Sequence, residues 1–151
     1  MNFFNTIKKE QGRTVVIGCG RLGATLASSL SETGEDVLVI DISKDSFRKL
    51  SPSFSGLTVI GNATSLDVLR EAQINKYTTV ACVTDDGNTN IMTAQLVKEL
   101  FSAQRVITRL HDPEKSCIYE DQGIETICPS VLAIEAINHL LLGKRSKEGN
   151  L

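Results

Sequence analysis

Six residues near the start of the chain have the types and spacing to hold a diphosphate. Gly18-Cys19-Gly20-Arg21-Leu22-Gly23 fits the pattern G-x-G-x-x-G. The first glycine of that pattern permits a tight turn out of a strand. The second leaves room for a pyrophosphate against the backbone, and the third lets the following helix pack on the sheet. The free N–H groups and positive end of that helix then face the phosphates. Asp41 lies 18 residues after Gly23, close to the roughly 20-residue spacing at which a carboxylate accepts hydrogen bonds from an adenosine ribose. A carboxylate there also repels a 2′-phosphate and disfavours NADP, with Lys44 nearby as a counterweight. Arg21 stands inside the loop and is placed to pair with phosphate; the bland alternative is a solvated arginine on the first helical turn. No Lys-Ser/Thr pair follows the glycines, so this is not a Walker A loop.

Other chemistries find less support. The cysteines are Cys19, Cys82, Cys117 and Cys128, with no C-x-x-C spacing, and His111 and His139 are far apart. No metal site is expected. Four reduced thiols are the simplest reading, with Cys82 and Cys128 as small core residues in apolar runs and Cys19 the one redox candidate. A small NAD-dependent oxidoreductase would need a proton donor. Tyr77 is followed four residues later by Ala81 and Tyr119 by Gly123, so neither forms Tyr-x-x-x-Lys.

The elements that must position the loop are legible as alternation. Apolar runs at 14–17, 37–40, 57–60, 79–83, 105–110 and 126–128 read as buried strands. Between them, amphipathic stretches read as helices over 22–33, closed by Gly34, then 65–72 and 90–101. A short helix capped by Ser43 runs to Leu50. Asp112-Pro113 opens another, ended by Gly123, and Pro129 begins a last helix to about Leu142. Strands apolar throughout are buried on both faces, which implies a parallel sheet covered on each side. The expected fold is a doubly wound, Rossmann-like α/β domain with six parallel strands. The expected boundaries are a flexible segment at 1–12, one domain over 13–142 and a flexible polar tail at 143–151.

Composition agrees with one globular domain. The chain has 151 residues, 41% hydrophobic and 23% charged, with net charge −2 and a pI near 5.7. That balance argues against a dedicated nucleic-acid binder. No apolar stretch approaches the ~18–20 residues that span a bilayer, and the first residues are too polar for a signal peptide. A cytoplasmic protein without direct membrane insertion is expected.

Beyond the fingerprint, further landmarks follow in order. They are Val39-Ile40-Asp41, Gly61-Asn62-Ala63-Thr64, Val83-Thr84-Asp85-Asp86 with Asn90, and Ile107-Thr108-Arg109. With the Gly20-Arg21-Leu22-Gly23 form of the loop, these landmarks resemble the TrkA N-terminal or RCK N-lobe family (regulator of potassium conductance) over roughly 13–142. The resemblance implies a regulator rather than an enzyme. It implies binding of NAD(H) or of ATP, ADP or AMP, homodimerisation, and a transmembrane potassium transporter or channel subunit as partner, placing the protein at the inner face of the membrane. The implied nucleotide set is Gly18, Cys19, Gly20, Arg21, Leu22 and Gly23, then Asp41 and Ile42, then Asn62, Ala63 and Thr64 near the adenine. Thr84 and Asp85 border it, with Arg109 as a phosphate or dimer contact. Glu125 is implied to approach a neighbouring subunit's nucleotide.

Several of these residues also have plain readings. Asp85 or Asp86 can cap the next helix, Asn90 can be a local cap, and Arg109 and Glu125 can form surface ion pairs. The chain departs from the family in carrying Asn62 where aspartate is common, and a single lobe without the family's usual C-terminal one is expected. The apolar last helix, with Val131, Ala133, Ile134, Ile137 and Leu140 to Leu142, suggests the dimer surface. The alternative functions are a freestanding redox or energy sensor, or the oxidoreductase discussed above.

Overall fold

The computed structural model describes residues 12–148. Residues 1–11 of the expected N-terminal segment and the last residues, 149–151, lie outside them. Six strands alternate with helices in chain order. They are β1 (Thr14–Ile17), β2 (Val37–Asp41), β3 (Leu57–Ile60), β4 (Thr79–Cys82), β5 (Arg105–Arg109) and β6 (Glu125–Ile127). The helices are α1 (Arg21–Glu32), α2 (Leu66–Glu71), α3 (Gly87–Glu99), α4 (Ser116–Glu120) and α5 (Pro129–Glu148). Short 3₁₀ turns run over Lys44–Lys49 and Pro113–Lys115.

All pairings are parallel, in the order β3-β2-β1-β4-β5-β6. This is the doubly wound arrangement expected. The order reverses between β1 and β4, and such a switch opens a crevice at the carboxyl ends of the two strands. Side-chain alternation divides the core in two. Val15, Ile17, Leu38, Ile40, Val80, Cys82 and Val106 face one layer with Leu69 of α2, Ala94 and Val97 of α3, and Ile124. Val16, Val37, Val39, Ala81 and Val83 face the other with Ala24 and Ala27 of α1, and with Phe47, Leu50 and Phe54 after β2.

The differences from the sequence reading are local. Leu22, Leu26, Ala27 and Leu30 recur at helical spacing and are the expected buried face, but α1 buries Gly23, Ala24, Ala27 and Ser31, while Leu22 is exposed and Leu26 and Leu30 only partly covered. Ser43 makes no side-chain cap, and α3 starts three residues before Asn90 because Asp86 caps it, accepting the Thr89 N–H at 3.0 Å. Gly34 and Gly123 end their elements at φ +86° and +78°. α5 runs through residues 143–148, where a polar tail was expected. Cys82 is buried, but Cys128 is half-exposed at the start of α5 rather than in the core.

Candidate nucleotide crevice

The glycine turn is built by contact with β4. Gly18 has φ +102°, and a Cβ on it would come within 2.8 Å of the Thr84 nitrogen. A Cβ on Gly23 would lie 1.8 Å from the Gly18 carbonyl oxygen. Only hydrogen fits at either position. Gly20 differs: the nearest atom to a Cβ there is Asp85 Oδ2 at 4.0 Å, so its missing side chain leaves open space in the crevice. Gly20 also begins α1 without a side-chain cap, and no acid occupies the first turn. The helix's leading N–H groups are thus left for an anion.

Asp41 closes the other wall. Its Oδ2 accepts the Cys19 N–H at 2.7 Å and its Oδ1 accepts the Ser43 N–H at 2.8 Å. A carboxylate offers about four acceptor sites, so two bonds to backbone fix its orientation and leave acceptors for ribose hydroxyls. Cys19 contributes that backbone nitrogen only. Its side chain is buried, with Sγ 3.4 Å from the Ser46 carbonyl, and burial raises its pKa. Its role as a redox thiol loses support accordingly.

Between these walls lies a cavity of about 320 Å³. Gly18, Asp41, Ile42, Asn62, Ala63, Thr84 and Asp85 all line it. Ile42 is 73% exposed, an apolar side chain held out beside the cavity. Thr64 does not line the cavity: both its N–H and its hydroxyl bond Asn62 Oδ1, at 2.9 and 2.7 Å. These bonds orient Asn62. Beyond the glycine turn, a second cleft of about 750 Å³ is lined by Gly20, Arg21, Leu22, Asp85 and Arg109. Asp85 stands between the two. Arg109 Nη1 reaches Asp85 Oδ1 at 3.5 Å, and Arg109 Nε is buried with no partner.

Asn90 turns out differently from the sequence reading, while Glu125 takes the ion pair of its plain reading. Asn90 is fully buried and far more than a local cap. Its Oδ1 accepts the Thr84 N–H and hydroxyl at 2.9 and 2.6 Å; its Nδ2 donates to the carbonyls of Thr84 and Arg109 at 3.0 and 3.3 Å. It ties the ends of β4 and β5 together beneath the crevice. Glu125 begins β6 and pairs with Arg105, the first residue of β5. That places it at the amino ends of the strands, opposite the crevice of its own lobe. Lys49, which the sequence did not mark, lines the larger cleft. Its position at the end of the 3₁₀ turn carries no local signal.

The groups lining the two clefts suit a nucleotide by donor and acceptor set. Gly20 and Arg109 line the larger cleft and Asp41 the smaller, with Asp85 on the wall of both. Among the described residues no helix is long and apolar enough to cross a membrane.

Comparison with known proteins gives the family and supports the fold. The chain is 40% identical over 113 residues to the Trk system potassium uptake protein TrkA of Streptomyces coelicolor, covering 75% of this chain and 51% of that protein. The TrkA homolog of Pyrococcus horikoshii is 36% identical over 107 residues, 71% of this chain and 47% of that one. The chain therefore spans about half the length of these relatives. Among solved structures, the GsuK channel bound to NAD superposes with a TM-score of 0.71 at 25% identity, covering 89% of this chain and 24% of that one. GsuK bound to ADP gives 0.73 at 25% identity, covering 90% and 35%. With a match to the TrkA-N domain over residues 14–129, the chain belongs to the TrkA-N family.

Proposed function

We propose that this chain is a nucleotide-sensing regulatory lobe of a potassium transport system, binding NAD(H) or an adenine nucleotide in the crevice between β1 and β4. One observation carries the reading: the Asp41 carboxylate is bonded to the glycine turn itself, through the Cys19 N–H at 2.7 Å. Sugar and phosphate sites are thereby one rigid unit. Gly18 and Gly20 shape the phosphate path, Asp41 holds the ribose, and Ile42, Asn62 and Ala63 surround the base. Relatives named for potassium uptake support that role.

A regulator reads such binding through differential affinity for two arrangements of the protein. The exposed α5 is the element suited to that. Leu132, Ile134, Ile137, Leu140, Leu141 and Leu142 are all exposed along it. An apolar helix of this kind needs a partner surface, which supports a homodimer joined through α5 and a cytoplasmic assembly with a pore subunit. The lining of the two clefts holds no tyrosine or histidine to serve a hydride transfer, which supports binding over catalysis.

The test is a thermal-shift titration with NAD, NADH, ATP, ADP and AMP. Stabilisation is expected to reach about 2.7 kcal/mol at a hundredfold excess over Kd. If none of the five stabilises the protein, the reading fails.

A further inference from the structure

We propose that the larger cleft selects a terminal phosphate over a nicotinamide riboside, with Lys49 as a specificity determinant. This rests on the nucleotide reading of the crevice and names the ligand class that the shared adenosine half leaves open.

Three cations from three separate elements line this one cleft. Arg21 comes from the first turn of α1, Lys49 from the end of the 3₁₀ turn, and Arg109 from the end of β5. The ion pairs among the described residues leave Arg21 and Lys49 out. Arg109 is engaged only at Nη1; its Nε is buried and unpartnered, an arrangement that leaves a desolvated donor unsatisfied. The single carboxylate in the lining, Asp85, is the group Arg109 already holds. Its side chain is 95% exposed against 21% for the arginine, so it neutralises little of the cleft. Lys49 is close enough to the glycine turn for its charge to act on the Cys19 thiol, where it offsets part of the rise caused by burial and Asp41.

The chemistry of the two ligand types then decides. AMP, ADP, ATP and NAD share the adenosine that the Asp41 side reads. Past the second phosphate, NAD carries a neutral ribose and a ring that is cationic when oxidised. ADP and ATP carry more negative charge instead. Leu22, Val83 and Pro129 give the cleft an apolar wall that either group can lie against, so charge is the discriminating feature. Hydrogen bonds between ionised partners are the strong ones, and arginine meets phosphate with two donors at once.

Isothermal titration calorimetry on the full chain and on K49Q, in EDTA, with AMP, ADP, ATP, NAD and NADH, tests this. The expected order is ATP tightest, then ADP, with NAD about tenfold or more weaker than ATP and weaker than NADH. K49Q is expected to lower ATP affinity by about tenfold and to leave AMP, which lacks the distal phosphates, within about twofold. AMP binding thus reports that the variant is folded. Equal affinity for NAD and ATP in the native chain overturns the selectivity. An unchanged ATP affinity in K49Q, or equal losses for AMP and ATP, overturns the role of Lys49. If AMP itself does not bind, the nucleotide reading fails and this proposal with it; if AMP binds and ATP binds no tighter, this proposal alone fails.

Discussion

Asp41 Oδ2 accepts the backbone N–H of Cys19 at 2.7 Å, so the tip of β2 is bonded to the turn that leaves β1. The residue expected to hold the sugar also braces the loop expected to hold the phosphates. Both jobs depend on one charged acceptor.

Asp41→Ala should therefore show two losses. Binding of AMP is expected to weaken roughly 10- to 150-fold, the value of hydrogen bonds to a charged group. Stability should fall by about 1–3 kcal/mol as the Cys19 and Ser43 N–H groups lose their acceptor. Calorimetry and urea unfolding measure these separately, and undiminished AMP affinity would place the sugar elsewhere.

Two glycines of the same turn should respond in opposite ways. Gly20→Ala puts its methyl group into open crevice, with nothing nearer than 4.0 Å. Stability should stay within about 0.5 kcal/mol while nucleotide affinity drops by about tenfold or more as the methyl takes phosphate space. Gly23→Ala drives a methyl to 1.8 Å from the Gly18 carbonyl oxygen. A backbone clash cannot relax by rotation, so a loss of about 3 kcal/mol or more is expected. Thermal unfolding of the two variants side by side checks the contrast.

Asn90→Ala removes both donor and acceptor from a fully buried position. The Thr84 N–H and hydroxyl and two carbonyls lose their partner. A cost of about 2–4 kcal/mol is expected, read from urea midpoints at unchanged slope.

The four thiols should divide into two pairs under native alkylation with iodoacetamide. Burial pushes Cys82 up to about 12 and raises Cys19, and both are enclosed. They should react only after unfolding, while Cys117 and Cys128 react in the native protein. The Ser130 hydroxyl, then the Val131 N–H, hold the Cys128 thiol below its usual range. A depressed pKa keeps the thiolate populated to lower pH. The Cys128 rate should therefore fall off at lower pH than that of free cysteine, and Ser130→Ala should move the profile upward. Mass spectrometry of the labelled peptides gives the rates.

The α5 surface makes a separate prediction. The double variant Ile137→Glu and Leu141→Glu changes two side chains that are 54% and 65% exposed within the described lobe. Sedimentation should show a dimer for the native chain and a monomer for the variant, with little change in the lobe's own core. A native chain that sediments as a monomer would sink the dimer.

Much of the fold is legible because its code is local. Valine-rich runs, a helix bounded by Gly34, and a glycine turn followed 18 residues later by Asp41 each carry their information within a few residues. Backbone freedom at Gly18 and the lack of side chains at Gly20 and Gly23 need no distant partner to be recognised. The sequence alone thus determines the alternating architecture, the glycine turn and the carboxylate at the tip of the second strand.

Tertiary structure decided the rest, because strand order and not chain order sets the neighbours. β1 lies between β2 and β4, which brings Thr84 against Gly18 and makes Asn90 a brace rather than a cap. The same order gathers Arg21, Lys49 and Arg109 around one cleft and sends Glu125 to the opposite end of the sheet. Lys49 sits on an irregular turn, where neither period nor motif betrays which way a side chain points; only the packing of that turn beside α1 gives its charge a direction.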